Sequence, residues 1–268
     1  MQSAKGRISA MTITIDRTAE LAAAITAPQP APATADTARA DAPLPYWQDR
    51  PCPPWCMMSV PHQDHDMPGD RYHMSVIHHL DLTLEKPVSD RSASGELLAC
   101  NPAFLTAGLH QHYRERDPQV ILTCNGEVDI PFTITEADEL AQELAALASR
   151  DSAEAGRCPS WCTGGPYMDP FIADRIHVSD YRMVDLALAD PNVWYPPEGS
   201  PKGTRPEVTL ADISVRLWQG WLEREAQVDI VHRDEYTSLT LAEARELAEA
   251  LSSLIADARG GARLNVAA

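Results

Sequence analysis

The chain carries one plan twice. CPPWC at Cys52 to Cys56 returns as CPSWC at Cys158 to Cys162, 106 residues later. Behind it, Asp70, Arg71, His73, Ser75, Asp81, Leu82 and Leu84 recur without a gap as Asp174, Arg175, His177, Ser179, Asp185, Leu186 and Leu188, all at an offset of 104. Thr133-x-x-Glu136 returns as Thr240-x-x-Glu243 at an offset of 107. Seven identities in one fifteen-residue window are not a coincidence, and both halves keep the order cysteine pair, His-x-Ser, capped helix. Such a duplication restricts the fold to two units of one kind. A chain of 268 residues gives each unit about a hundred, enough for a core.

In the first copy, Tyr72 to Leu84 is rich in β-branched and apolar residues and predicts one long strand or two short ones. Val120, Leu122 and Cys124 alternate up to Asn125-Gly126, and Val128, Ile130 and Phe132 alternate after it. That is a hairpin pattern, because both turn positions need positive φ. Thr133 and Glu136 form a capping box before a helix whose apolar stripe is Ala137, Leu140, Ala141, Leu144, Leu147 and Ala148. In the second copy Ile213, Val215 and Leu217 alternate, then Val228, Ile230 and His232, with Trp218 to Gln227 too long for a two-residue turn. A longer hairpin region is therefore expected there. The stripe of its helix is Ala244, Leu247, Ala248, Leu251, Leu254 and Ile255. A Pro/Gly-rich loop, Pro191 to Pro206, has only a loose counterpart in Ser89 to Pro102.

The expected fold class is α+β: a tandem duplication, each repeat a Cys-led antiparallel sheet of three to four strands followed by one C-terminal helix. One helix covers only one face of a sheet, and the linker Arg150 to Arg157 is short. The repeats are therefore expected to pack as a pseudo-twofold pair, an intramolecular pseudo-dimer. The expected boundaries are an Ala/Pro-rich, disordered leader over 1–44, repeat 1 over 45–150, repeat 2 over 156–260 and a tail over 261–268.

Charge narrows the partners. The chain has 39 acidic residues against 22 Lys plus Arg, net charge -17, and no segment clusters the basic ones as a phosphate backbone would require. Nucleic acid is excluded on that ground, and a protein partner is expected instead. No stretch approaches the ~20 apolar residues that span a bilayer, and no basic start precedes an apolar signal core. A cytoplasmic protein without membrane contact is expected. In a reducing compartment, paired cysteines favour metal or packing over a disulfide.

If the residues between them make a helical turn, two cysteines four apart project to one side. The first copy then supplies His62 and His73, and Cys52, Cys56, His62 and His73 make a Cys2His2 set for a structural zinc ion. His65 is the substitute for His62. The second copy matches Cys158, Cys162 and His177 but has no histidine near Pro166 to Asp169; with only Asp169 or Asp174 to serve as fourth ligand, a weaker site or none is expected there. The competing reading is a metal-free packing corner, with Trp55 and Trp161 as buried plates and the thiols as small hydrophobes. A third reading, a thiol- or metal-dependent hydrolase, would use Cys56 as nucleophile, His73 as base and Asp70 as orienter. No nucleophile elbow or phosphate-binding glycine loop accompanies them.

Other residues read more plainly. Cys100 and Cys124 lack counterparts and are expected to pack. His78, His79, His110 and His112 lack them too and read as solvated or strand-end residues. The Trp194-Tyr195-Pro196-Pro197 stretch and Trp218-x-x-Trp221 read as aromatic segments folded onto their own domain, with a partner anchor as the alternative.

At CPxWC, Asp-x-x-His-x-Ser and the Thr-capped Ala/Glu/Leu helix, the chain resembles an uncharacterised family of small acidic proteins from actinobacteria such as Streptomyces, here in tandem duplicate. The resemblance carries over Cys52, Cys56, His62 and His73 in one copy and Cys158, Cys162 and His177 in the other. It implies a domain plan and no activity. The expected function is a non-enzymatic binding or regulatory module stabilised by zinc in repeat 1. The alternatives are the hydrolase above and an interaction scaffold that works through the leader and aromatic loops.

Overall fold

Alternating apolar residues become sheet in each half of the computed structural model, which describes residues 46–48, 51–57, 67–68, 71–91, 97–126, 128–152, 157–163, 175–194, 207–233 and 235–264. The leader, residues 265–268, His62, His65, Asp70, Asp169 and Asp174 lie outside these residues, while 261–264, expected as tail, continue the last helix. The first half runs β1 (Tyr72–Met74), β2 (His78–Leu82), β3 (Val88–Arg91), β4 (Leu97–Asn101), β5 (Ala103–His112), β6 (Gln119–Cys124), β7 (Val128–Phe132) and α1 (Ile134–Ala148). The second repeats it as β8 (Ile176–Val178), β9 (Arg182–Leu186), β10 (Asn192–Trp194), β11 (Glu207–Thr209), β12 (Ala211–Gly220), β13 (Gln227–His232), β14 (Glu235–Thr240) and α2 (Leu241–Leu264). The α+β tandem duplication is thus the observed fold.

Each main sheet is antiparallel and four positions wide. β5 and β12 are the long central strands; β1 and β2 share one side of β5, with β6 and β7 following on the other. β8, β9, β13 and β14 surround β12 in the same way. The split edge is the work of the His-x-Ser motif. Ser75 N–H donates to Leu109 C=O at 3.0 Å, but Leu109 N–H donates at 2.8 Å to the Ser75 hydroxyl rather than to a carbonyl. The hydroxyl keeps a buried ladder donor satisfied while the chain steps from β1 to β2. Ser179 and Leu217 repeat both bonds at 2.9 Å.

The halves differ less than the sequence suggests. The β12–β13 connection has an equal counterpart between β5 and β6, so the second hairpin region is not longer. Asn125-Gly126, with φ of 50° and 71°, corresponds to the turn at Arg233, φ 49°. Arginine there gives no turn signal, so the sequence marks β12–β13, which do pair, but not β13–β14, the counterpart of the Asn125-Gly126 hairpin. Small two-stranded ribbons, β3–β4 and β10–β11, form around the Ser89 to Pro102 segment and at the two ends of the Pro/Gly-rich loop. Cys124 packs partly buried against the core, whereas Cys100 is exposed on β4 and is not a packing residue.

All twelve expected stripe residues are buried. Thr133 and Thr240 cap their helices, and Glu136 and Glu243 reach back to the N–H of each cap at 2.7 Å. The helices pack on one another and each crosses to the other half: α2 also lies against β2 and β5, and α1 against β9 and β12. The same carboxylates stitch this exchange. Glu243 accepts from Thr83 N–H and hydroxyl, both at 2.8 Å; Glu136 accepts from Ala187 N–H, also at 2.8 Å. Thr83 and Ala187 are equivalent positions, so the contact is isologous, as a pseudo-twofold pair requires. The apolar residues of both halves form one cluster.

Candidate metal centre

The cysteine motif is a tight turn rather than a helical one. Cys56 N–H donates to Pro53 C=O at 2.9 Å, and Cys162 N–H to Pro159 C=O at 3.1 Å. Pro54 occupies the turn position for which proline is preset. The following residue then joins the edge strand: Met57 N–H bonds Met74 C=O at 2.8 Å, and Thr163 N–H bonds Val178 C=O at 3.1 Å. This places the turn beside β1 and β8, whose central residues, His73 and His177, point inward and are buried.

The ligand atoms of Cys52, Cys56 and His73 all lie within 4.8 Å of one another, as do those of Cys158, Cys162 and His177. A tetrahedral zinc ion with bonds of about 2.0–2.3 Å holds its ligands about 3.3–3.8 Å apart. Both groups are therefore close enough to hold a metal ion. One cysteine of each group, Cys52 or Cys158, faces solvent, and none of the six forms a disulfide.

Tryptophans wall in the histidines. Trp55 meets His73 edge-on with ring centroids 6.3 Å apart, and Trp161 meets His177 edge-on at 6.4 Å. Trp221 stacks on His177 at 5.0 Å, so this tryptophan belongs to the site. Trp161 is itself fixed by a 3.0 Å bond from Nε1 to Asp151 C=O. His177 is only 1% exposed, and among the described residues neither of its ring nitrogens has a hydrogen-bond partner. A buried imidazole must leave at least one nitrogen lone pair and one N–H unsatisfied in that setting, a rare and costly condition. A cation between His177 and the two thiols would relieve it. Burial lowers the His177 pKa and keeps the ring neutral, the form that ligates metals.

The outer thiols of the two centres shift in opposite directions. The Cys52 thiol is held down to about 3, chiefly by a hydrogen bond from Cys56, with His73 and Gln48 adding to the effect and burial opposing it. Gln48, itself buried, donates to Cys52 Sγ at 3.5 Å. Cys158 is pushed up instead, first by burial and then by Cys162. The segment carrying Gln48 is tied down by Arg71, whose guanidinium lies over the rings of Tyr46, Trp47 and Tyr113 at 5.4–5.5 Å.

Some residues of the site escaped the sequence reading. Gln48 is one; another is a second shared motif at an offset of 108, in which Gln111-x-Tyr113-x-Glu115-Arg116 returns as Gln219-x-Trp221-x-Glu223-Arg224. Gln111 and Gln219 donate to the Glu115 and Glu223 carbonyls at 3.2 and 2.8 Å. Glu115 and Glu223 in turn accept from the N–H of His112 and Gly220. These loops are brackets closed by hydrogen bonds, and the first walls a cleft of about 370 Å³ beside His73. Comparison of the copies at this offset would have shown the motif.

The serines do not serve the centre, since their hydroxyls complete the ladder. Ser75→Ala is expected to cost about 1–3 kcal/mol by orphaning Leu109 N–H while leaving metal content unchanged. Chemical denaturation with metal analysis checks both. Asp70, the proposed orienter, and His62, the proposed fourth ligand, lie outside the described residues.

A family model described as Domain of unknown function (DUF6907) matches residues 33–150 and again 149–264. No curated protein and no solved structure matches the chain.

Proposed function

Since the chain belongs in both halves to this family, Domain of unknown function (DUF6907), which brings no activity with it, we propose from the site alone that it is a non-enzymatic binding or regulatory module with a structural zinc ion in each repeat. Cys52, Cys56 and His73 hold one ion and Cys158, Cys162 and His177 the other. His62 is the proposed fourth ligand in the first repeat, and Asp169 or Asp174 in the second. The observation that carries this reading is His177, buried beside two thiols with neither ring nitrogen partnered among the described residues.

Zinc suits a donor set of thiolate and imidazole in a close, roughly tetrahedral group. The hydrolase reading loses support from its own nucleophile: Cys56 is 6% exposed, beneath the turn that carries Trp55. No described helix is long and apolar enough to cross a membrane.

Elemental analysis of the purified intact chain tests the proposal. One zinc ion per repeat is expected, with Cys52→Ser/Cys56→Ser and Cys158→Ser/Cys162→Ser each removing one. Wild type without stoichiometric metal, melting at the temperature of both double variants, would overturn it.

A further inference from the structure

The outer faces of the two sheets, turned away from the helices, have diverged at one equivalent spot. In the second repeat, Arg216 of β12 pairs with Asp229 of β13 at 3.2 Å. Its guanidinium lies over the rings of Tyr181 and Tyr236 at 4.8 and 5.7 Å. Ser238 donates to the other Asp229 oxygen at 2.9 Å, and the Asp229 side chain is 6% exposed. The repeat therefore holds a flat cation on its outer face, between aromatic walls and above a carboxylate.

In the first repeat the strand ladders place Gly108 where Arg216 stands and Ile121 where Asp229 stands. Ile77 replaces Tyr181, and Asp129 replaces Tyr236. The result is a hollow of about 410 Å³ whose lining includes Tyr72, Ile77, Gly108, His110, Ile121 and Asp129. That volume falls in the range of small-molecule sites, roughly 300–1,000 Å³.

Gly108 is not there for its backbone. Its φ is not in the left-handed region, and a Cβ would meet Ile77 Cγ1 at 3.6 Å and Ser75 Oγ at 3.7 Å, both ordinary contacts. A glycine inside a central strand costs about 0.5–1 kcal/mol relative to alanine and marks places where something else approaches the strand closely. What it creates here is open space. One end of that space has the Tyr72 and His110 rings, 4.7 Å apart; the other has Asp129, which accepts from the Thr123 hydroxyl at 2.7 Å. Burial lowers the His110 pKa, so this wall does not repel a cation. The net charge of -17 favours one.

We propose that the hollow over Gly108 is a binding site for a guanidinium group supplied from outside the chain, laid on Ile77 and Ile121 beside the Tyr72–His110 rings and paired with Asp129. The ligand restores from outside the arrangement that Arg216 makes from within. A small alkylguanidine and an exposed arginine of a partner protein share this chemistry, and the test separates them.

Titration of the isotopically labelled full chain with n-butylguanidinium, and separately with a blocked Ala-Arg-Ala tripeptide, is followed by amide NMR. Saturable shifts are expected at Gly108, Ile121 and Asp129, with the tighter probe identifying the source. Gly108→Arg, which fills the hollow with the residue of the second repeat, should abolish them. Asp129→Asn, an exposed change that leaves the fold intact, should weaken binding about tenfold, the worth of one charge-assisted hydrogen bond. No saturation by either probe at about 10 mM, the edge of measurable affinity, would overturn the proposal. So would binding that survives both variants.

Discussion

His177→Phe is expected to lower the stability of the protein by about 4 kcal/mol or more, the scale of losing a bound structural metal. It should also remove the zinc ion proposed for the second repeat. The substitution separates two accounts of one pocket. Phenylalanine keeps an aromatic ring in the space between Trp161 and Trp221 and removes two nitrogens that have no hydrogen-bond partner among the described residues. If the pocket were only a packing corner, deleting unsatisfied polar atoms worth about 1–3 kcal/mol each would leave stability unchanged or raise it. Denaturant unfolding with a zinc release assay decides. A midpoint at or above wild type, with zinc content unaltered, rules out metal in the second repeat.

The second large effect is expected at Glu243→Ala, about 3–5 kcal/mol. Glu243 is 6% exposed, and its carboxylate holds Thr240 N–H, Thr83 N–H and the Thr83 hydroxyl. Removal orphans two backbone donors in two different repeats. Glu136→Ala, which orphans Thr133 and Ala187 N–H but no hydroxyl, should cost less. The loss at Glu243 should also depend on pH. Burial alone would raise this carboxyl, but hydrogen bonds from Thr240 and Thr83 outweigh it and hold the folded pKa below the ordinary value. A lowered folded pKa contributes stability that is complete above the unfolded value, about 4.3, and is lost as pH falls through the folded one. The gap between wild type and Glu243→Ala should therefore narrow on acidification below about pH 4. A gap that stays constant from neutral pH through that range would mean that folding leaves the Glu243 pKa unchanged.

The helices and their caps were legible because 3.6-residue periodicity with leucine on one face has few competing readings. The Cys, Cys, His grouping was legible because the same residues recur in the same order in both copies, the cysteines at an offset of 106 and the histidine at 104. β5, the centre of the first sheet, was not. Its inward positions are Ala103, Leu105, Ala107 and Leu109, half of them alanine, while Phe104 faces outward, so hydrophobic contrast across the strand is small. The Ser75 role was hidden because a hydroxyl that replaces a ladder carbonyl looks, in sequence, like one aimed at its neighbour His73. Gln48 sits upstream of the repeated landmarks. No offset pointed to it.

The crossing of the helices has a consequence for how the two copies can change. A chain with a single copy would leave one side of its helix and part of its sheet uncovered, and the isologous contact would close only with a second identical molecule. In such a homodimer every substitution arrives twice, and both outer faces must stay alike. Covalent linkage lifts that constraint while keeping the shared core. Arg216 on one face and Gly108 on the other are a difference that two identical subunits could not have had.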